Sequence, residues 1–130
     1  MAFRQAIRAA DAILFVTPEY NRSIPGVLKN AIDVGSRPYG QSAWDGKPAG
    51  IVSNTPGIMG GFGANHALRQ PCVYLNMPVM QQPEAYIGGA SSLFSHEGGI
   101  AAADTREFLR NYMARYADWI KTILGGAADN

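Results

Sequence analysis

The chain has 130 residues, of which 47% are hydrophobic and 16% are charged. This length and composition are typical of a single globular domain with one moderate core. Eleven basic and ten acidic residues give a net charge of +1 with no block of like charge, so neither a nucleic-acid interface nor a polybasic membrane patch is expected. No apolar run approaches the roughly 20 residues of a membrane span, and no secretory signal pattern is present, so the sequence predicts a cytoplasmic protein.

The first predicted elements are a short helix and a strand. Phe3, Ile7 and Ala10 recur at helical spacing, which predicts an amphipathic helix. The run Ala12 to Thr17 is almost continuously apolar, which predicts a strand covered on both faces in a parallel sheet. A strand this apolar is not expected at a sheet edge, so the pattern predicts neighbouring strands on both sides of it.

A second helix and a second strand follow. The apolar positions after Gly26 predict a helix, with Ser23 as its N-cap and Pro25 within its first turn. The turn-rich segment Arg37 to Pro48 is expected to be a surface loop. The apolar run Ala49 to Asn54 predicts the next buried strand.

The remaining elements continue the alternation. A helix is predicted from about Ala64 to Asn76, although Pro71 should kink it or cost about 3 kcal/mol. A short strand is expected at Pro78 to Met80, with a continuation at Glu84 to Ile87. The apolar stripe of the last segment predicts a long helix over Ala103 to Leu124. This order predicts an α/β fold with a doubly wound parallel sheet of about three strands and flanking helices.

Two loops are candidates for a binding site because each follows a predicted strand. Ligands of open parallel sheets bind beyond the carboxyl ends of the strands. The first loop is "TPEYN", in which Pro18 restricts the backbone and Asn21 offers hydrogen-bonding groups. The second is "SNTPGIMGG", whose glycines Gly57, Gly60 and Gly61 allow a flat ligand to approach the backbone closely. We expect the two loops to be spatial neighbours.

Several common site motifs are absent from the sequence. It contains no G-x-G-x-x-G after a strand, no P-loop, no G-x-S-x-G and no H-E-x-x-H. His66 and His96 have no partners at metal-ligand or nucleophile spacing, and His96 is expected in a solvated loop. The lone Cys72 is expected to be a buried packing residue. We therefore predict neither a catalytic protein side chain nor a metal ligand.

The segment "TPEYNRSIPGVLKNAID" resembles the NADPH-dependent FMN reductase family, a flavodoxin-like group that includes chromate and quinone reductases. The later segments "GIMGGFGANHALRQ" and "NMPVMQQPEAYIG" resemble two further blocks of the same family. The similarity covers about Ala2 to Gly89. It implies a flavodoxin-like fold over residues 1–130 and an enzyme that passes hydride from NADPH through FMN to quinones, chromate or azo compounds.

The resemblance also implies a cofactor site in which the flavin carries the redox chemistry and the protein positions it. It assigns flavin binding to residues of both loops: Pro18, Glu19, Tyr20, Asn21, Asn54, Thr55, Pro56 and Gly57. NADPH and the electron acceptor would use the same open space in turn, which predicts ping-pong kinetics.

Other residues are weaker candidates for contacts at such a site or between subunits. Arg22 and Arg37 are candidates to meet an anionic cofactor or acceptor, or are simply solvated. Tyr39 and Trp44 are candidates to flank the flavin ring or a subunit contact. The segment "QQPEAYIGG" resembles one used in subunit contacts, so a homodimer or homotetramer is expected.

The sequence departs from the family at its N-terminus. Chains of this family begin with a strand, a phosphate-cradling loop, a helix and a second strand, and such a unit needs at least about 30 residues. We expect the domain to be incomplete there through a late start, a natural truncation or a segment supplied by a partner. The alternatives to a reductase are a non-catalytic remnant that serves as an interaction module, and an electron carrier that does not oxidise NADPH.

Overall fold

The computed structural model describes residues 2–125. Within them the elements, in chain order, are α1 (Ala2–Ala9), β1 (Ile13–Pro18), α2 (Gly26–Gly35), β2 (Ala49–Asn54), α3 (Phe62–Tyr74), β3 (Ala85–Ile87), a short 3₁₀ helix (Ala90–Ser92) and α4 (Ala103–Gly125). The predicted alternation of helices and strands is confirmed. None of the helices within residues 2–125 is long and apolar enough to cross a membrane.

The three strands form one parallel sheet in the order β1-β2-β3. One hydrophobic cluster packs α1, α2 and α3 against one face through Ile7, Ile32 and Leu68. A second cluster packs α4 against the other face through Tyr112 and Tyr116. Helices on both faces of a parallel sheet confirm the predicted doubly wound α/β architecture.

The prediction that β1 is covered on both faces is wrong for the described part of the chain. Phe15 and Thr17 are buried, but Leu14 is 36% and Val16 is 63% exposed. The exposed side chains lie on the face that α4 covers, and the cluster under α4 is built on Val52 and Ala85 of the other two strands. The helix therefore covers β2 and β3 and leaves β1 open, at the edge of the described sheet.

Side chains from distant segments stabilise the C-terminal end of α2. Arg4 donates hydrogen bonds to the carbonyl oxygens of Gly35 (2.7 Å) and Gln41 (2.6 Å), where a cation is favoured by the helix dipole. The indole of Trp44 donates to the Ile32 carbonyl at 2.9 Å. Trp44 is buried in the core and lies so close to Gly35 that a Cβ there would come within 2.5 Å of its ring. The prediction that Trp44 flanks a ligand or a subunit is therefore wrong.

The edge of β2 that faces away from β1 is completed by three different segments. Ala49 exchanges backbone hydrogen bonds with Pro78 and Met80 at 3.0 and 2.9 Å, so the predicted strand there is reduced to a single bridge at Val79. Beyond Ile51, β3 pairs with β2. Both backbone groups of Ile51, in the gap between the two, bind the Tyr112 hydroxyl.

Tyr112 of α4 closes this gap as both acceptor and donor. The Ile51 N–H donates to its hydroxyl at 2.8 Å, and the hydroxyl donates to the Ile51 carbonyl at 3.2 Å. Burial raises the pKa of Tyr112, so the hydroxyl keeps the proton that it donates. The approach requires Gly50, because a Cβ there would lie 2.7 Å from the hydroxyl oxygen.

We predict that Tyr112→Phe lowers the free energy of unfolding by about 1–3 kcal/mol, since it leaves the buried Ile51 N–H unpaired. Tyr116→Phe is the matched control, because Tyr116 stacks on Tyr112 and is also buried, but its hydroxyl makes no hydrogen bond within the described residues. Its effect should stay within about 0.5 kcal/mol. Chemical denaturation of both variants measures the difference, and equal losses would contradict this role of Tyr112.

Candidate functional site

The two predicted binding loops begin at neighbouring points of the sheet. Pro18, the last residue of β1, is paired in register with Asn54, the last residue of β2. Paired strands lie about 4.8 Å apart. The Asn54 side chain also reaches across and donates to the Thr17 carbonyl at 3.4 Å. The prediction that the loops are spatial neighbours is confirmed.

The first loop ends in a tight two-residue turn. Tyr20 and Ser23 exchange backbone hydrogen bonds of 2.9 and 3.0 Å around Asn21 and Arg22, which have φ angles of 52° and 67°. Positive φ at both central residues is the signature of a type I′ turn. The turn uses the backbone of Ser23, and Pro25 occupies the N-cap of α2 without a side-chain hydrogen bond, so the prediction of Ser23 as the cap is wrong.

The turn leaves two side chains of the first loop free for a ligand. Tyr20 is 60% exposed. Asn21 is also exposed, and its side-chain amide makes no hydrogen bond to any described residue. Glu19 behaves differently, because its Oε2 accepts a hydrogen bond of 2.9 Å from the backbone N–H of Ala64 in the first turn of α3.

The second loop is fixed through its backbone and open above it. Thr55 donates its N–H to Ile87 and accepts from the N–H of Ala90, both at 3.0 Å. Its hydroxyl donates to the Gly57 carbonyl at 3.2 Å. A Cβ added at Gly57 would meet only the Thr55 hydroxyl, at 3.9 Å, so open space lies above this backbone. Pro56 and Gly57 are both exposed.

Gly60 and Gly61 bring this loop into the first turn of α3. Both have positive φ angles, 61° and 80°. A Cβ on Gly60 would lie 2.5 Å from the backbone carbon of Tyr86, and one on Gly61 would lie 2.7 Å from the Cβ of Ser53. Only glycine satisfies the backbone conformation and the close approach together. The two glycines thus fix where α3 begins relative to β2 and β3.

A buried polar network that the sequence analysis missed holds α3 on the sheet. The Ser53 hydroxyl donates to the Gly60 carbonyl at 2.8 Å. Asn65 is fully buried, and its side-chain amide donates to the Ser53 oxygen and to the Ala85 carbonyl, both at 3.3 Å. The signal for Asn65 was its helical spacing with the core residues Leu68 and Cys72. A polar residue in that row needs buried partners.

The two histidines take different positions. His66 lies on α3, with its Nε2 2.7 Å from the Tyr86 hydroxyl and its ring 4.3 Å from that of Phe62. Partial burial and the nearby Glu84 carboxylate raise the pKa of Tyr86. His96 is exposed in a loop, as predicted. His66 therefore belongs to an aromatic cluster on the β3 side of α3.

Other candidate residues do not join the two loops. Arg37 and Tyr39 line a groove between α2 and α3, and none of the eight predicted flavin-binding residues borders it. Cys72 is buried in the core, as predicted, and burial raises the pKa of its thiol to about 11. Such a thiol is not a nucleophile at neutral pH.

The arrangement suits a flat ligand with polar edges. The first loop exposes Pro18, Tyr20 and Asn21, and the neighbouring second loop exposes Pro56 and Gly57. The free Asn21 amide and the lone pairs of the Thr55 hydroxyl can pair with ring heteroatoms. The geometry therefore supports binding and orientation of a ligand that brings its own reactivity.

Comparison with known proteins gives consistent matches. The family model "NADPH-dependent FMN reductase" matches residues 1–92. A quinone reductase of Pseudomonas putida is 65% identical over 119 residues, which cover 92% of this chain and 63% of the relative. A 2-hydroxy-1,4-benzoquinone reductase of a Burkholderia species is 49% identical over 92% of this chain and 66% of the relative. The chain thus spans slightly less than two thirds of these relatives.

A solved structure supports the same grouping. The flavoenzyme NAD(P)H:(acceptor) oxidoreductase FerB of Paracoccus denitrificans superposes with a TM-score of 0.85 and 39% sequence identity, over 92% of this chain and 65% of that protein. The flavodoxin-like fold expected from the sequence is confirmed by this match.

We predict that Gly60→Ala destabilises the protein more than Gly46→Ala does. Both glycines have positive φ, but a Cβ at Gly46 meets nothing within 4 Å. Gly46→Ala should therefore lower the free energy of unfolding by only about 1–2 kcal/mol, the strain of a left-handed backbone at a residue with a side chain. Gly60→Ala should lower it by about 1–3 kcal/mol more, because its Cβ would collide with the backbone of β3. Chemical denaturation measures both, and equal costs would rule out the close approach of this loop to β3.

Proposed function

The chain belongs to the NADPH-dependent FMN reductase family, and from that premise we propose that it forms the flavin-binding part of an NAD(P)H-dependent quinone reductase. The main observation behind the proposal is that β1 and β2 are paired in register and end at the same level. The two exposed loops that follow them therefore offer small residues and free polar groups side by side. The names of the similar proteins, quinone and benzoquinone reductases, supply the acceptor class.

We assign flavin contact to residues of the two loops that the family resemblance also indicates. Pro18, Tyr20 and Asn21 of the first loop and the segment Asn54 to Gly57 of the second would hold the isoalloxazine. FMN, when bound, would supply the transfer of hydride and electrons from NADPH to a quinone, so no protein nucleophile is needed. The loops bind and orient the ring, and the open space above Gly57 admits nicotinamide and quinone in turn.

The assembly and the location belong to the same proposal. Residues 1–130 would be part of one flavodoxin-like reductase domain, acting in the cytoplasm as a homodimer or homotetramer. Sedimentation of the flavin-loaded protein tests the assembly, because a monomer at micromolar concentration would contradict it.

The direct test is a titration of the 130-residue chain with FMN, followed by flavin fluorescence. The proposal predicts saturable quenching, and then NADPH oxidation that depends on added benzoquinone and gives the parallel double-reciprocal lines of ping-pong kinetics. The Pseudomonas putida quinone reductase is a suitable positive control. A chain that binds no FMN while the control does would support the non-catalytic interaction module instead. Flavin binding without NADPH turnover would support an electron carrier.

We predict that Thr55→Val weakens FMN binding about tenfold, the equivalent of about 1.4 kcal/mol. The substitution removes the hydroxyl that holds the Gly57 carbonyl and can face the flavin. Thr122→Val is the matched control, because that hydroxyl also donates to a backbone carbonyl, at 2.9 Å, but lies far away on α4. Fluorescence titration gives both dissociation constants, and an unchanged value for Thr55→Val would remove Thr55 from the proposed site.

A further inference from the structure

The helix α3 lacks an N-terminal cap of its own. Its N-cap is Gly61, which has no side chain, and its first turn contains no acidic residue. The first N–H groups of any helix have no partner within the helix, and they carry the positive end of its dipole. Serine, threonine or aspartate at the N-cap usually satisfies one of them. Here the close approach of Gly61 to Ser53 excludes such a side chain.

Glu19 supplies the missing group from the other loop, 45 residues earlier in the chain. Its Oε2 accepts the Ala64 N–H at 2.9 Å, and the side chain is half-buried. A carboxylate that accepts a backbone N–H at a helix N-terminus makes one of the stronger kinds of hydrogen bond. This hydrogen bond joins the first loop directly to α3, the helix that follows the second loop.

Gly63 is the second half of the same contact. A Cβ at this position would lie 2.8 Å from Oε2 of Glu19 and 2.6 Å from the carbonyl oxygen of Arg22. The type I′ turn at Asn21 and Arg22 turns that carbonyl toward α3. The absence of a side chain at residue 63 is therefore what allows the whole first loop to lie against the helix.

We propose that Glu19 is a positioning residue, which clasps the first loop to α3 and so sets the distance between the two halves of the flavin site. This inference rests on the proposed function for its effect on FMN, but the clasp itself does not. In this proposal Glu19 holds the first loop in place and does not make the direct flavin contact that the family resemblance implies. The two roles can be distinguished by a substitution at Gly63, which should weaken FMN binding if Glu19 positions the loop but not if Glu19 contacts the flavin directly.

The clasp can be tested in the flavin-free protein by hydrogen exchange at the Ala64 amide. Wild type and Glu19→Gln should protect this amide, because the glutamine oxygen can still accept its hydrogen bond. Glu19→Ala should exchange it at least about tenfold faster, as expected when a hydrogen bond of roughly 1.4 kcal/mol is lost. Circular dichroism checks that each variant is folded. Equal exchange in wild type and Glu19→Ala would overturn the clasp.

FMN titration of the same proteins tests the positioning. Glu19→Ala and Gly63→Ala should each raise the dissociation constant of FMN about tenfold. The dissociation constant of Glu19→Gln should stay within about threefold of the wild-type value. In the double variant Glu19→Ala/Gly63→Ala, the dissociation constant should rise by clearly less than the product of the two single effects, because both substitutions break the same contact. Gly26→Ala is the control, because Gly26 is also a glycine in the first turn of a helix, but a Cβ there would meet nothing within 4 Å.

Unchanged FMN affinity in Gly63→Ala, together with a loss of affinity in Glu19→Gln, would overturn the positioning role of Glu19 in favour of direct flavin contact. A wild-type chain that binds no FMN would contradict the proposed function, and Ala64 exchange would still decide the clasp.

Discussion

The in-register pairing of β1 with β2 is the constraint on which the candidate site depends. Six consecutive residue pairs, from Ile13 with Ala49 to Pro18 with Asn54, fix the strands so that both end at the same level. Because parallel strands share a direction, the loops that follow them must emerge side by side. The site is therefore a consequence of strand register, and the loop sequences decide only which ligand fits there.

Much of the remaining order comes from single groups that satisfy backbone atoms at a distance. The Tyr112 hydroxyl completes β2 at Ile51, where the strand pairing on that side is interrupted. Glu19 completes the first turn of α3, which has no cap of its own. Asn65 ties the same helix to the Ala85 carbonyl of β3. Each makes a hydrogen bond between segments that are far apart in the chain, and each thereby fixes the position of one element relative to another.

Periodicity predicted the elements well where the apolar pattern along them is regular. The strand Ala49–Asn54 has the predicted bounds, because five of its six residues are buried and the apolar run is unbroken. The helix α4 likewise follows its apolar stripe and ends one residue beyond the prediction. The predicted strands located both loops, and we expected the loops to be neighbours because ligands of parallel sheets bind beyond the carboxyl ends of the strands.

The errors depend on packing and hydrogen bonds that the apolar pattern of the sequence does not show. Burial of Trp44 depends on the space at Gly35, and the failure of Ser23 as a cap follows from the turn that it closes with Tyr20. No local pattern identifies a hydrogen bond between Glu19 and a helix 45 residues away. Sequence reasoning could find the residues of the candidate site, but it could not separate those that face a ligand from those that hold the loops.

The central claim is that FMN binds between the loops at the ends of β1 and β2. Backbone amide chemical shifts of the labelled chain, recorded during an FMN titration, test it most directly. The account predicts that the largest shifts fall on the segments 19–22 and 54–57, with the groove between α2 and α3 unaffected. Shifts centred on that groove, or no shifts at saturating FMN, would contradict it.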